Sequence, residues 1–237
     1  MKTLMITDQL EDMGVDLNDV NFGKFDALGD ITARRTRNPQ SEGFKKHGAF
    51  YRANYERGIL IYYLIRELAS GSEEFSMLEI GFGRGYASAC ALMSMEDHGI
   101  EGRVTTVDPV INQGQLTAIS SMVPSVMSKL HCLQGTSRQA FESGMLEAKS
   151  FDFSYVDGDH SEEGVKYDRD HVLPITKKMI LFDDYHLDDQ EEHIQCRKPI
   201  DEITADKRLI IMDRRLFPDE RGLKDEEIRY GQVLVSL

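Results

Sequence analysis

Residues 76–85, SMLEIGFGRG, decide the fold of this chain, because a short apolar run passes directly into three alternating glycines. An apolar run of this length predicts a buried strand. The glycines permit a sharp turn, and the first N–H groups of a helix beginning near Tyr86 would be open to a ligand. We therefore predict a strand, a ligand-binding turn and a helix. Tight packing of the strand against the helix is the alternative reason for the glycines.

The alternation of apolar runs and helical patterns continues along the chain. Strand-like runs cover residues 76–80, 103–107, 129–134, 151–156 and 178–182, and helical patterns between them cover residues 86–95, 114–122, 137–147 and 161–173. Because parallel neighbours need crossover connections, this alternation predicts a parallel sheet with helices on both faces. The last two runs, residues 208–212 and 232–237, lack a long helix between them and predict an antiparallel pair at the sheet edge. The predicted class is α/β: a doubly wound, Rossmann-like, mostly parallel sheet of seven strands with an antiparallel edge strand.

We predict one domain over residues 51–237, preceded by an N-terminal arm or lid over residues 1–50. The arm has no clean periodicity and contains several turn formers. From residue 51 the spacing of apolar side chains predicts a helix that ends near residue 69. The arm is long enough to pack on a second copy, so a homo-oligomer is one expectation.

Composition narrows the classes of protein that the chain can represent. With 41% hydrophobic residues among 237, it can form one substantial core. A formal net charge of −13 would repel a polyanion, which argues against nucleic-acid binding and favours small substrates. No apolar run approaches the roughly 20 residues of a membrane span, so we predict a cytoplasmic protein without a membrane partner. The three cysteines are far apart and are expected to stay reduced: Cys90, Cys132 and Cys196.

Positive charge is concentrated in residues 33–57, which hold seven lysines and arginines against two glutamates. This segment could face an anionic group of a substrate. The alternative is a solvated basic face that balances the acidic remainder of the chain.

Asp108 follows the second apolar run, 23 positions beyond Gly85. A carboxylate at the tip of a neighbouring strand can accept two hydrogen bonds from a ribose diol. The alternative is a turn-forming aspartate before Pro109. The GxGxG spacing with Tyr86 does not fit the dinucleotide pattern, and the ending of a phosphate-binding loop is missing. The glycine turn and Asp108 together indicate an adenosine-type ligand.

Three aspartates follow the fourth and fifth apolar runs. Asp157 ends the fourth run, and Asp183 and Asp184 end the fifth. If these strands are neighbours, their tips lie about 5 Å apart, and the carboxylates converge at the ligand-binding edge. A divalent cation, best Mg²⁺, would hold all three carboxylates ionised. The alternatives are a cap on the helix that begins near Ser161 and a solvated loop.

The motifs resemble those of a known group of enzymes. Residues 78–85, LEIGFGRG, look like the first motif of class I S-adenosylmethionine-dependent methyltransferases, with Asp108 at the usual ribose position. Residues 151–161, FDFSYVDGDHS, with residues 179–185, MILFDDY, resemble metal-dependent small-molecule O-methyltransferases of the catechol, caffeoyl-CoA and macrolide-sugar types. The resemblance covers about residues 50–185. It implies transfer of a methyl group to a hydroxyl of a small, anionic or sugar-like acceptor, assisted by Mg²⁺.

The resemblance also assigns roles to residues. The S-adenosylmethionine site would comprise Glu79, Gly81, Phe82, Gly83, Gly85, Asp108, Gly135, Thr136, Ser137 and Asp157. The metal ligands would be Asp157, Asp183 and Asp184. His160 would accept the proton of the hydroxyl, since its ordinary pKa is near 6.5. His186 is a weaker candidate for a ligand or substrate contact.

Some of these assignments have structural alternatives. Glu79 could organise the glycine turn, Thr136 or Ser137 could cap the next helix, and His160 could be structural. Two other functions stay open at this stage. One is a metal-independent methyltransferase acting on nitrogen or another nucleophile, and the other is a non-catalytic module that binds an adenosyl ligand.

Overall fold

The computed structural model describes residues 1–25, 27–29, 55–111, 113–146, 150–187, 194–211 and 230–237, with side chains from Arg57 onward in the third of these segments. Eight strands are present among them: β1 (Lys2–Met5), β2 (Phe75–Ile80), β3 (Gly102–Asp108), β4 (Leu130–Gln134), β5 (Phe151–Val156), β6 (Thr176–His186), β7 (Asp206–Ile211) and β8 (Tyr230–Ser236). Seven α-helices are named here: α1 (Ile6–Asp12), α2 (Tyr55–Ala69), α3 (Tyr86–His98), α4 (Gln113–Met122), α5 (Ser137–Glu142), α6 (Glu162–Val172) and α7 (Arg197–Asp201).

The strands form one sheet in the order β1-β7-β8-β6-β5-β2-β3-β4. Only β8 runs antiparallel to its neighbours, β6 and β7, while the other pairs are parallel. The predicted doubly wound, mostly parallel α/β sheet is therefore confirmed. The prediction of an antiparallel relation between the last two strands also agrees with the structure.

The sheet differs from the prediction in its number of strands, which is eight rather than seven. Residues Lys2–Met5 pair in parallel with β7, so β1 forms the edge and the antiparallel strand lies inside the sheet. We predicted an arm over residues 1–50, but its first residues belong to the sheet. The four residues of β1 are exposed or half-buried, without the continuous apolar run of a central strand. Most of the predicted arm, residues 30–54, lies outside the described residues.

Two hydrophobic clusters lie on opposite faces of the sheet, because successive side chains of a strand alternate in direction. On β2, Met77 packs in the cluster with α2 and α3, whereas Leu78 packs in the other cluster with α5 and α6. β5 does the same with Phe153 and Val156. Strands buried on both faces read as continuous apolar runs, which is why the sequence identified them.

Several helices begin directly after a strand at one edge of the sheet. Ser161 caps α6 by accepting a hydrogen bond from the Gly164 N–H at 3.0 Å. Thr136 caps α5 in a reciprocal arrangement with Gln139. These caps place the helix starts at the carboxyl edge of the parallel strands. None of the described helices is long and apolar enough to cross a membrane. All three cysteines are free thiols.

Candidate active site

The residues predicted to carry function lie at the carboxyl ends of β2, β3, β5 and β6. Ile80 is in register with Val107 of β3 and Val156 of β5, and Val156 is in register with Phe182 of β6. The residues that follow these positions therefore emerge at one edge of the sheet. Ligands bind at this edge in open α/β sheets.

A cavity of about 910 Å³ lies along this edge. Its size falls in the usual range for small-molecule sites, which is about 300–1,000 Å³. The cavity brings together most of the predicted donor-site residues and the predicted base, namely Glu79, Gly81, Phe82, Gly83, Asp108, Thr136, Ser137, Asp157 and His160. Gly85 and Gly135, also predicted for the donor site, are not part of the lining. Asp183 and Asp184 are not part of the lining, whereas Arg57 is.

The glycine turn has a steric requirement at Gly81. Gly81 has φ +91°, and a Cβ atom there would lie 1.8 Å from the carbonyl oxygen of Asp157. The backbones of two strand ends thus approach each other more closely than any other residue type permits. Gly85, with φ +77°, has a similar restriction, because a Cβ atom would lie 2.6 Å from the Phe82 ring.

Asp108 fixes the glycine turn to the tip of β3. Its Oδ2 accepts a hydrogen bond from the Gly83 N–H at 2.9 Å, and its Oδ1 accepts one from the Val110 N–H at 2.7 Å. Asp108 therefore makes the turn-forming contact given above as the alternative, and it also lines the cavity. Each carboxylate oxygen has a second lone pair, so the side chain can still accept hydrogen bonds from a diol.

Glu79 is buried beneath the turn, with 1% of its surface exposed. The hydroxyl of Ser88 donates a hydrogen bond to its Oε2 and so connects α3 to β2. Burial raises the pKa of Glu79 to about 8, and the hydrogen bond from Ser88 opposes that rise. The carboxyl group is therefore largely neutral at pH 7. This contact matches the alternative in which Glu79 organises the turn, although the residue also lines the cavity.

Thr136 and Ser137 form the end of the cavity next to α5. The Thr136 hydroxyl accepts a hydrogen bond from the Gln139 N–H at 3.1 Å, which confirms the predicted helix cap. Gly135 donates its N–H to the carbonyl of Asp108 at 3.0 Å. The loop after β4 is thus attached to the tip of β3.

The three aspartates meet as predicted, but a guanidinium group lies among them. Nη2 of Arg57 is 3.0 Å from Asp184 Oδ1, Nη1 is 3.8 Å from Asp157 Oδ2, and Nη1 also pairs with Asp183 Oδ2. The hydroxyl of Tyr155 donates to Asp183 at 2.6 Å and lies 3.2 Å from Asp157 Oδ2. The cluster therefore contains its own cation.

Asp183 is the most enclosed of the three, with 4% of its surface exposed. Burial raises the pKa of Asp183 above its ordinary value, while the charge of Arg57 opposes that rise. Its Oδ1 accepts the Asp184 N–H at 2.8 Å, and its Oδ2 accepts from Tyr155 and Arg57. Both oxygens of this predicted metal ligand are thus already engaged.

Asp184 is held in an uncommon backbone conformation. Its φ of 51° is the one positive value among the described residues other than glycine. It lies at an irregularity in β6 between Phe182 and Tyr185, where the pairing with β8 shifts register. Such bulges redirect a side chain, and here the Asp184 carboxylate turns towards Asp157 and His160.

His160 lies between two carboxylates, near the end of the loop that connects β5 to α6. Its Nε2 is 3.1 Å from Asp157 Oδ1, and its Nδ1 is 3.6 Å from Asp184 Oδ2. The hydrogen bond with Asp157 raises the pKa of His160 to about 9, against the effect of burial. At that pKa the imidazole is protonated at neutral pH in the absence of a bound metal ion.

A metal ion would find suitable donor atoms here, although the set differs from the predicted one. Asp157, His160 and Asp184 each offer one ligand atom, and these atoms lie within 4.8 Å of one another. Two carboxylates and an imidazole fit first-row divalent ions such as Mn²⁺ as well as Mg²⁺. Asp183 lies behind them, bound to Arg57.

Arg57 and Tyr155 belong to the site, although neither was predicted from the sequence as a site residue. Tyr155 precedes Asp157 by two residues, and the two-residue period of a strand places both on one face. This spacing could have identified Tyr155 as a neighbour of Asp157. Arg57 was noted only as part of the basic segment. Of that segment it alone has a described side chain, and it faces carboxylates rather than an open anion site. His186 is 3% exposed and packs edge-on against Tyr230 at 4.7 Å, outside the cavity lining.

The sheet order, the glycine turn and the ligand edge together form a Rossmann-like fold of the kind that methyltransferases have. Residues 78–185 match the family model described as a methyltransferase domain. The prediction of a class I methyltransferase from the motifs is therefore confirmed. Comparison with curated proteins finds no match.

Similar solved structures extend the likeness of fold to most of the chain. An O-methyltransferase from Bacillus cereus in complex with SAH has a TM-score of 0.57 and 12% identity, covering 98% of both chains. The O-methyltransferase TomG from Streptomyces achromogenes, in complex with SAM, has a TM-score of 0.54 and 14% identity, covering 83% of this chain and 90% of that one. CalS11, a TDP-rhamnose 3′-O-methyltransferase of calicheamicin biosynthesis, has a TM-score of 0.52 and 12% identity, covering 89% and 93%.

Proposed function

We propose that this protein transfers a methyl group from S-adenosylmethionine to a hydroxyl of a small-molecule acceptor, assisted by a divalent cation. The main support is one cavity that joins the glycine turn and Asp108 to Asp157 and His160. A donor bound at the turn would direct its methyl group towards the carboxylates. Transfer then depends mainly on orientation and electrostatics, because the donor already carries an activated methyl group.

The donor would be held by backbone and by one carboxylate. The glycine turn offers N–H groups and space, since nothing lies within 4 Å of a Cβ atom built at Gly83. Asp108 would accept the hydrogen bonds of the ribose diol, and Thr136 with Ser137 would border the adenine ring. Neighbours crystallised with SAM or SAH support the choice of donor.

The acceptor hydroxyl would lie near Asp157, His160 and Asp184. A divalent cation held there supplies a Lewis acid that lowers the pKa of a bound hydroxyl, and its charge opposes protonation of His160. In its neutral form, His160 can accept the proton of the hydroxyl as the methyl group arrives. Its raised pKa without the cation, about 9, is a physical reason for a cation requirement.

The test measures S-adenosylhomocysteine formation with a panel of hydroxylated aromatic compounds and nucleotide sugars, with and without EDTA. Nucleotide sugars are included because CalS11, which has a similar fold, is a TDP-rhamnose 3′-O-methyltransferase. Asp157→Asn should abolish turnover while retaining binding of S-adenosylhomocysteine, measured by thermal stabilisation. The matched control is Asp170→Asn, a partly exposed carboxylate paired with Lys166 on α6. Full turnover in excess EDTA would contradict the role of the cation.

A second candidate is metal-independent methyl transfer. The observation that favours it is Arg57, whose guanidinium already compensates the charge of the carboxylates. Metal-independent transfer predicts equal turnover before and after chelation. It also predicts that Arg57→Met loses turnover. The two candidates are therefore separated by the response to EDTA and to added Mn²⁺ or Mg²⁺.

A further inference from the structure

Arg57 reaches all three aspartates of the cluster. Its Nη2 contacts Asp184 Oδ1 at 3.0 Å, its Nη1 pairs with Asp183, and the same nitrogen lies 3.8 Å from Asp157 Oδ2. The side chain comes from the first turn of α2. One residue of the chain therefore supplies positive charge where a bound cation would also supply it.

The arginine remains charged in this environment. A guanidinium group is not deprotonated in proteins, and the contacts with Asp183, Asp184 and Asp157 favour its charged form. The side chain is 19% exposed, and that of Asp183 is 2% exposed. A buried carboxylate of this kind is costly to ionise without a partner, so the charge of Asp183 depends on its ion pair with Arg57.

The pairing reduces what the cluster can offer to a divalent ion. Arg57 and Tyr155 engage Asp183 Oδ2, and the Asp184 N–H engages Oδ1. Arg57 also engages one oxygen of Asp184, which leaves the other oxygen directed towards His160. A divalent ion that enters the cluster therefore finds Asp183 already occupied. It also meets the positive charge of Arg57.

We propose that Arg57 is an internal cation that competes with a divalent ion for the carboxylates and thereby sets the affinity of the site. The inference rests on the proposed cation-assisted function. Removing the arginine would release Asp183 as an additional ligand and remove repulsion. A monovalent and a divalent charge about 5 Å apart repel enough, even in the dielectric of water, to weaken binding about tenfold or more. Arg57 is thus a positioning residue of the cluster.

The experiment measures Mn²⁺ binding to the full chain by electron paramagnetic resonance, without donor or acceptor. Arg57→Met should bind Mn²⁺ at least tenfold more tightly than the unaltered protein. Arg57→Lys keeps a positive charge, so its affinity for Mn²⁺ should stay close to that of the unaltered protein. The matched control is Arg66→Met on the same helix, whose guanidinium instead contacts the Met13 carbonyl at 3.2 Å. Its Mn²⁺ affinity should stay within about twofold of the unaltered protein, because it lies outside the cluster.

A double variant tests the mechanism and guards against misfolding. Arg57→Met with Asp183→Asn removes the released ligand and its buried charge, so most of the gain in Mn²⁺ affinity should disappear. Tighter binding by Arg57→Met, reversed in the double variant, supports the competition. If Arg57→Met binds Mn²⁺ equally or more weakly while the unaltered protein binds it, the competition is refuted and cation assistance stands.

Two further outcomes separate this inference from the proposed function. If only Arg57→Met binds Mn²⁺, the competition is supported, and cation assistance in the unaltered protein is refuted. If neither protein binds Mn²⁺ at millimolar concentration, both are refuted. Thermal unfolding and S-adenosylhomocysteine binding by each variant establish that the compared proteins are folded.

Discussion

Replacing Gly81 with alanine should destabilise the protein strongly, because two independent restrictions meet at this residue. Its φ of +91° is unfavourable for a residue with a Cβ atom, which costs about 1–2 kcal/mol. The added atom would also lie 1.8 Å from the Asp157 carbonyl oxygen, so the backbone of one strand end must move.

The movement would disturb hydrogen bonds that connect three strands. Gly81 donates its N–H to the Val107 carbonyl at 2.9 Å, and Asp157 donates its N–H to the Ile80 carbonyl at 2.8 Å. Weakening both adds roughly 1–3 kcal/mol. We therefore expect Gly81→Ala to lower the free energy of unfolding by about 2–5 kcal/mol, towards the upper end of single substitutions.

Gly83→Ala is the matched control within the same turn. Its φ of +50° is also positive, but no atom lies within 4 Å of the added Cβ. The expected loss is about 1 kcal/mol, from backbone strain alone. Urea unfolding followed by circular dichroism measures both variants. If Gly81→Ala loses no more stability than Gly83→Ala, the close approach of the strand ends is not energetically significant and the reasoning fails.

Three further expectations concern the site. In metal-free protein, His160 should titrate by NMR with a pKa near 9, and this pKa should fall in Asp157→Asn. Because the pKa is raised in the folded protein, the stability contributed by the His160–Asp157 pair is complete below about pH 6.5 and is lost as pH rises through 9. A measured pKa of His160 at or below 6.5 would contradict this expectation. Thr136→Ala should cost about 1 kcal/mol in chemical denaturation, and Thr136→Ser much less, because serine keeps the cap; equal losses would argue against the cap. Asp108→Ala should weaken S-adenosylhomocysteine at least tenfold by calorimetry through loss of the diol contacts, and unchanged affinity would remove Asp108 from the donor site.

The main strands of the sheet could be predicted because their cause is local. Runs such as Phe151–Val156 are buried on both faces, and a loop that ends in a helix cap follows. The loops after these runs therefore had to lie at the carboxyl edge. β1 could not be predicted in this way, since Lys2–Met5 is short and only partly buried, and its role as a strand depends on pairing with β7 more than 200 residues later.

The composition of the site divides in the same manner. Asp157, Asp183 and Asp184 follow strands that proved to be neighbours, so their convergence could be expected from strand adjacency. The contact of Arg57 with Asp183 joins residues 126 positions apart and depends on where α2 packs. No local pattern distinguishes this arginine from the other basic residues of its segment.

The sequence by itself determined the type and order of the main elements, the glycine turn and the residues that could bind a donor. The tertiary structure decided that Asp183 is bound to Arg57, that His160 lies between Asp157 and Asp184, and that β1 closes the sheet edge. The physical reason is that burial and helix capping produce patterns among residues that are close in the sequence. The charge of a carboxylate, by contrast, is balanced by whichever group the complete fold brings within a few ångströms.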